Sequence, residues 1–264
     1  MNILFIGEII GQTGREVVKK VLPGLRKKYK IDVCFANGET ITHGKGVTRD
    51  KIEDMTLEGV DYFTSGNHYF RFRHFIEDVD SGDIPIIRPA NYSSAVPGKG
   101  HAVLDLGRKG KVLLVNLQGR IFMPHQIDSP FDAVDEIFRT YKKEKFTAIV
   151  VDFHAEATSE KQGMGYYLDG KTSLVVGSHT HIPTADARIL PKGTGFVADI
   201  GMVGALNSVL GGEIEKIVEQ QRWGMLGEFD VASEPPFVFN SIFTEIKAGK
   251  AVHIERLDKI IEKL

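Results

Sequence analysis

The sequence predicts an α/β fold in which a parallel sheet is flanked by helices and late antiparallel strands close the structure. Short apolar runs alternate with stretches of helical periodicity through the N-terminal part, the strand–helix–strand pattern of a parallel sheet. Similar buried-type runs recur at 112–116, 146–151 and 173–176. Several of these runs end in a glycine beside a polar side chain, and open α/β sheets place their sites at that end of the strand.

Residues 2–6 form the first expected strand, which ends in Gly7-Glu8. Gly11 and Gly14 loosen the backbone before a helix starting near Arg15, with Val17, Val18, Val21, Leu22 and Leu25 on one face. Pro23-Gly24 should kink or restart that helix. Residues 31–36 form a second strand, followed by Asn37-Gly38-Glu39-Thr40 and the glycine-rich His43-Gly44-Lys45-Gly46. Thr48 is placed to N-cap a helix through Leu57. Residues 62–64 form a third strand, ending in Ser65-Gly66-Asn67-His68. Another short apolar stretch at 84–88 precedes a Pro/Gly/Ser loop, and 102–106 with 112–116 read as a hairpin. Ser129, Pro130 and Asp132 together signal a helix start. The strand at 146–151 leads into Asp152-Phe153-His154-Ala155-Glu156, and Ser159 with Gln162 suits the cap of a following helix. The strand at 173–176 leads into Gly177-Ser178-His179-Thr180-His181. Residues 196–199 read as a strand, 201–212 as a glycine-studded loop and 213–221 as a helix. Antiparallel strands between Phe237 and Leu257 close this sheet or build a second one. No linker divides the chain, so 1–264 reads as one domain.

A chain of 264 residues buries enough surface to need no disulfide staples. Its 33 basic and 35 acidic residues give a net charge of −2, which argues against long nucleic acids as partners. Cys34 is the single cysteine, so an internal disulfide and a cysteine-based zinc finger are excluded. It lies in an apolar run and reads as a small buried hydrophobe. No stretch approaches a bilayer span or a signal peptide, so a soluble cytoplasmic protein is expected. Gly7, Gly11 and Gly14 do not fit the dinucleotide fingerprint, and no P-loop occurs.

The chemistry-bearing residues at strand ends are Glu8, Glu39, Asn67, His68, His154, His179 and His181. Singly, each reads as a loop side chain or a satisfied core residue. Together they offer carboxylate, amide and imidazole without thiolate, a set suited to iron, manganese or zinc in a hydrolytic role. The set exceeds what one tetrahedral zinc needs. Two metals about 3.5–4 Å apart, sharing one carboxylate, would use it and clamp a phosphoryl group. Gly44-Lys45-Gly46 would bring backbone N–H groups toward a phosphate. Asp152 is either a partner orienting an imidazole or a strand-end turn residue, and Arg120 either neutralises phosphate or sits in a surface ion pair. Phe70, Phe72 and Phe75 read as packing residues rather than a base-stacking platform, and His74, His101, His125 and His253 as surface.

Gly66-Asn67-His68 and Gly177-x-His179-x-His181 resemble two blocks of the calcineurin-like metallophosphoesterases. Asn37-Gly38-Glu39, Asn116-Leu117-Gln118-Gly119-Arg120, the run from Asp152 to Lys161, and His179-Thr180-His181-x-x-Thr184-Ala185-Asp186 resemble the YmdB-like branch, in order and over nearly the whole chain. That resemblance implies a four-layer α/β/β/α sandwich and a metal-dependent phosphodiesterase acting on 2′,3′-cyclic nucleotides and model phosphodiesters. It implies two metal ions, iron or manganese with zinc as a further option, and attack by a hydroxide bridging them. By position, Glu39 would be the shared carboxylate. Asn67, His154 and His179 would serve one metal, and His181 with Glu8 the other. His68 would be the acid, and Thr40 and His43 would lie in the substrate-binding region. Two positions depart from the family pattern: Glu8 replaces an Asp, and Thr40 an Asn. A related phosphomonoesterase or nuclease, or a weakened metal-binding regulator, are the alternatives; homo-oligomerisation is left open.

Overall fold

Side chains along the first strand alternate between two apolar cores, and that alternation sets the layers. The fold is seen in a computed structural model that describes residues 1–80, 82–225 and 227–264. Its N-terminal elements are β1 (Asn2–Ile9), α1 (Gly11–Tyr29), β2 (Val33–Asn37), α2 (Arg49–Leu57), β3 (Tyr62–Thr64) and α3 (Arg73–Asp80). The middle of the chain adds β4 (His101–Asp105), β5 (Lys111–Gln118), α4 (Pro130–Thr140), β6 (Ala148–His154), α5 (Thr158–Leu168) and β7 (Leu174–Ser178). Then follow β8 (Arg188–Ile189), β9 (Gly195–Val197), β10 (Met202–Ala205), α6 (Ile214–Trp223), β11 (Phe237–Phe239), β12 (Ser241–Lys247), β13 (Lys250–Arg256) and β14 (Lys259–Ile261).

Two sheets form. In the first, β1 pairs with β2 on one side; on the other it pairs with β12 along Asn2–Ile6 and with β10 at Glu8 and Ile9. The second sheet has the order β4-β5-β6-β7-β9-β8, with β5, β6, β7 and β9 parallel. Ile3, Phe5, Val33 and Phe35 of the first sheet pack with Val112, Leu114, Val150, Leu174 and Val176 of the second. Their odd–even neighbours face outward: Leu4, Ile6, Cys34 and Ala36 toward α1 and α2, and Leu113, Val115, Val151 and Val175 toward α4 and α5. The result is the expected helix–sheet–sheet–helix sandwich.

Several elements differ from expectation. Helix α1 starts at Gly11 and continues through Pro23. An interior proline costs about 3 kcal/mol, but Val17, Val18, Val21, Leu22 and Leu25 are all buried along this helix and each contributes roughly 1.5–3 kcal/mol. Residues 84–88 make only a single bridge, Ile86 to Phe63. Strand β10 forms within the glycine-studded segment because Met202 and Val203 extend the sheet beside Glu8 and Ile9. Thr48 precedes α2, but its hydroxyl goes to the Asp50 carboxylate instead of capping the backbone. Ser159 lies inside α5, whose N-cap is Ala157. Ser129 does cap α4, accepting from the Asp132 N–H at 3.3 Å.

Candidate metal centre

The apolar stripe between the sheets turns polar at the carboxyl ends of the strands. Following Val33 and Phe35 inward comes Asn37; after Tyr62, Thr64; after Val112 and Leu114, Asn116 and Gln118; after Ala148 and Val150, Asp152 and His154; after Leu174 and Val176, Ser178. All but the half-buried Tyr62 in this series are buried. The two-residue period of a strand therefore stacks one polar layer on one apolar layer.

Glu8 reaches this layer through a register fault. Leu4 and Ile6 face the helix side, and strict alternation would send Glu8 after them. The pairing of β1 with β2 shifts between Ile6 and Glu8, which turns Glu8 inward and sends Ile9 to the helix side. Gly7 sits in the shift. A Cβ there would lie 2.0 Å from the Gly201 carbonyl oxygen, so no other residue fits.

Asp152 anchors the polar layer. Its carboxylate accepts from the Thr64 hydroxyl, from Asn37 Nδ2 at 3.0 Å and from the Ser178 hydroxyl at 2.7 Å. Ser178 has then spent its only proton, so its oxygen accepts from Asn37 Nδ2 at 3.2 Å and from His154 Nδ1 at 3.0 Å. His154 thus carries its proton on Nδ1 and turns the lone pair of Nε2 toward Asn67 Oδ1 at 3.1 Å, His179 Nδ1 at 3.1 Å and Glu39 Oε2 at 3.2 Å. Ligand atoms of Glu39, His154 and His179 all lie within 4.8 Å of one another.

A second group forms around Glu8. His181 Nδ1 donates to the Leu210 carbonyl at 2.9 Å, which leaves Nε2 facing Glu8 Oε2. The other carboxylate oxygen, Oε1, accepts the backbone N–H of His179. His179 and His181 both have left-handed backbones, with φ of 100° and 63°. Such a conformation costs a non-glycine residue roughly 1–3 kcal/mol, and here it turns two imidazoles of a His-x-His run to one side. Thr180, between them, is held by Asp199, which also pairs with buried Lys161 at 2.7 Å.

This donor set fits metal ions. Glu8 Oε2 and Glu39 Oε2 are buried and accept no hydrogen bond, and each faces an imidazole nitrogen. Buried carboxylates left so are costly unless a cation stands among the lone pairs. Protons compete with a metal ion for these nitrogens. Burial opposes a charge on His154 and His181, but Glu39 and Glu8 outweigh it, holding His154 at about 8 and His181 at about 9. Burial also works against the carboxylates, and the surrounding histidines hold both well below their usual range. His179 is half-buried, and desolvation together with the neighbouring His154 pushes it down to about 4.

His68 stands at the edge, half-buried, with Nε2 4.0 Å from Glu39 Oε1. Burial lowers its pKa despite Glu39. A cavity of about 250 Å³ opens over the cluster, and Glu39, His68, His179, His181, Lys45 and Phe229 line part of it. Lys45, Glu156, Leu210 and Phe229 carry no signal in the sequence as site residues, apart from Lys45 within its glycine pair. Glu156 Oε2 lies 3.2 Å from His179 Nε2.

Two expected substrate contacts are placed differently. Thr40 lines the cavity, but its hydroxyl donates to the Ile9 carbonyl at 3.0 Å, so it has no proton for a phosphate oxygen. His43 is exposed and lines a neighbouring cavity with Gln12, Glu16 and Ser233, because its positive φ of 51° turns the loop there. Arg120 is exposed, and its backbone N–H is what the Glu160 carboxylate holds.

The chain matches the YmdB-like protein family over residues 4–257. The 2′,3′-cyclic-nucleotide 2′-phosphodiesterase of Bacillus subtilis (strain 168) is 41% identical over 260 residues, 97% of this chain and 96% of the relative. A crystal structure of a hypothetical protein from Thermus thermophilus superposes with a TM-score of 0.91 at 37% identity, covering 99% of this chain and 100% of that one. The crystal structure of a novel phosphatase from Mycoplasma pneumoniae gives 0.90 at 31% identity, covering 99% of this chain and 94% of that one. With the sandwich, the order of motifs and almost the full length shared, the chain belongs to the YmdB-like protein family.

Proposed function

We propose that this chain is a metal-dependent phosphodiesterase that hydrolyses 2′,3′-cyclic nucleotides at the bond to the ribose 2′ oxygen. The observation that carries this is the convergence of two buried carboxylates and three imidazoles, with orphaned carboxylate oxygens, at the carboxyl ends of both sheets. Glu39, Asn67, His154 and His179 would hold one ion, and Glu8 and His181, with Glu39 shared, a second. Iron or manganese suits these ligands, with zinc as the further option. Such a pair, when bound, supplies polarisation of phosphoryl oxygens and a lowered pKa for water.

The remaining work falls to the chain. The Asp152–Ser178 relay and the Leu210 carbonyl fix two imidazole tautomers, so no reorientation is needed when ligand arrives. Lys45 places a cation on the cavity wall, where a phosphate would lie. His68, as imidazolium, donates its proton to the departing 2′ oxygen. Its lowered pKa makes it a stronger acid once protonated.

The test is hydrolysis of 2′,3′-cyclic AMP by manganese-reconstituted protein, with His181→Ala as the blank. His68→Ala should keep its metal and lose about 10²–10⁴-fold in rate. Unchanged turnover in that variant would remove His68 from the reaction. Bound metal with no hydrolysis of any cyclic nucleotide would overturn the reading.

A further inference from the structure

His68 lines a second cavity of about 410 Å³, in which Asn67, Phe70, Arg71, Tyr92 and His125 are neighbours. The ring of Tyr92 lies 6.2 Å from that of Phe70, edge to face, and 6.4 Å from that of His125. Tyr92 is fixed by its hydroxyl, which donates to Gln118 Oε1 at 3.0 Å, and Gln118 is fully buried. Among the described residues no carboxylate lines this cavity, and Arg71 supplies a cation. Its volume is in the range of small-molecule sites.

We infer that this cavity is the nucleoside subsite, with the base stacked on the aromatic wall formed by Tyr92 and His125. The inference rests on the phosphodiesterase reading. A group that protonates the leaving 2′ oxygen must stand beside the ribose, which stays bonded to the phosphate through its 3′ oxygen. His68 borders both cavities, so a phosphate over the metal cluster puts the nucleoside on the far side of His68, against these rings. Every base has a π-face, so stacking of this kind tolerates all four bases. Phe70, which also packs on the core beneath the first sheet's helices, stiffens the wall from below.

Tyr92→Ala and, separately, His125→Ala are compared with wild type on 2′,3′-cyclic AMP and on base-free ribose 2′,3′-cyclic phosphate. His125 is exposed, so its variant tests the wall without disturbing the fold. The expected result is a loss of roughly tenfold or more in kcat/KM on the nucleotide for Tyr92→Ala, no change on the base-free diester, and recovery in Tyr92→Phe. Calorimetric binding of adenosine 3′-monophosphate and of inorganic phosphate to the manganese-loaded protein gives a readout independent of turnover. The alanine variants should weaken the first and leave the second unchanged. Equal losses on both diesters, or equal binding of the monophosphate by wild type and variants, would overturn the subsite. Failure of wild type to cleave either diester while binding of the monophosphate still depends on Tyr92 would instead overturn the phosphodiesterase reading and leave the subsite standing.

Discussion

Gly66→Ala isolates the metal cluster from the rest of the fold. Gly66 precedes Asn67 and has an ordinary backbone, so alanine meets no conformational penalty there. The penalty is steric: an added Cβ would lie 1.9 Å from Glu39 Oε2 and 2.2 Å from His154 Nε2. Ordinary contact begins at 3.4 Å, so the Glu39 oxygen must retreat by about 1.5 Å. Metal–ligand distances tolerate only about 0.2 Å. Disturbing residues that merely orient ligands costs about 10–100-fold in metal affinity or activity, and here two ligands are hit directly. We expect at least about 100-fold weaker manganese binding and a matching loss of cyclic-nucleotide hydrolysis. Far-UV circular dichroism should stay close to wild type, while metal-free urea unfolding should show a loss of about 1–3 kcal/mol, because the clash is with buried side chains. Stoichiometric metal after gel filtration, with turnover within a few-fold of wild type, would refute the placement of Glu39 and His154 as joint ligands.

Three further outcomes follow from the geometry. Asp152→Asn replaces one acceptor oxygen by an amide donor, so either Ser178 or the Asn37–Thr64 pair loses its acceptor and the relay that orients His154 is broken; metal affinity should fall about 10–100-fold in a titration of apoprotein. Lys161→Met leaves the buried Asp199 without its counter-charge and should destabilise the fold by roughly 3–5 kcal/mol, read as a lower urea midpoint. The Thr180 and Gly201 donors to Asp199 place the value at the lower end. Cys34 is fully buried, and burial, reinforced by Asp61, pushes its thiol pKa well above the usual range. Ellman's reagent should find no thiol in the native protein and one per chain in urea.

The polar strand ends were legible because they obey local rules: a short apolar run, then a chemistry-bearing side chain, in several cases beside a glycine. That is why Glu39, Asn67, His154, His179 and His181 could be named from sequence and are found around one cluster. The role of Glu8 depends on a one-residue register shift, which no local pattern announces. Leu210 and Phe229 reach the cavity from loops whose paths are set by packing elsewhere, and a backbone carbonyl has no sequence signature at all. His43 was misplaced for the converse reason. It sits in a suggestive glycine-rich run, but its own left-handed φ points it outward and leaves Lys45 on the cavity wall. Phe70 was read as packing, which it is, and it also lines a cavity.

Strand β1 is made first, yet one of its two edges is filled by β12, with the Met1 amino group bonded to the Ile246 carbonyl 245 residues away. During synthesis the first sheet therefore keeps an apolar strand with an open row of N–H and C=O groups until residues 241–247 have emerged. The second sheet draws its strands from residues 101–197 alone and has all of them earlier. Such an edge invites pairing with the wrong chain. The edge of β1 that β12 covers is therefore the last part of the central strand to be protected, and it is the segment from which mispairing of the unfinished chain would start.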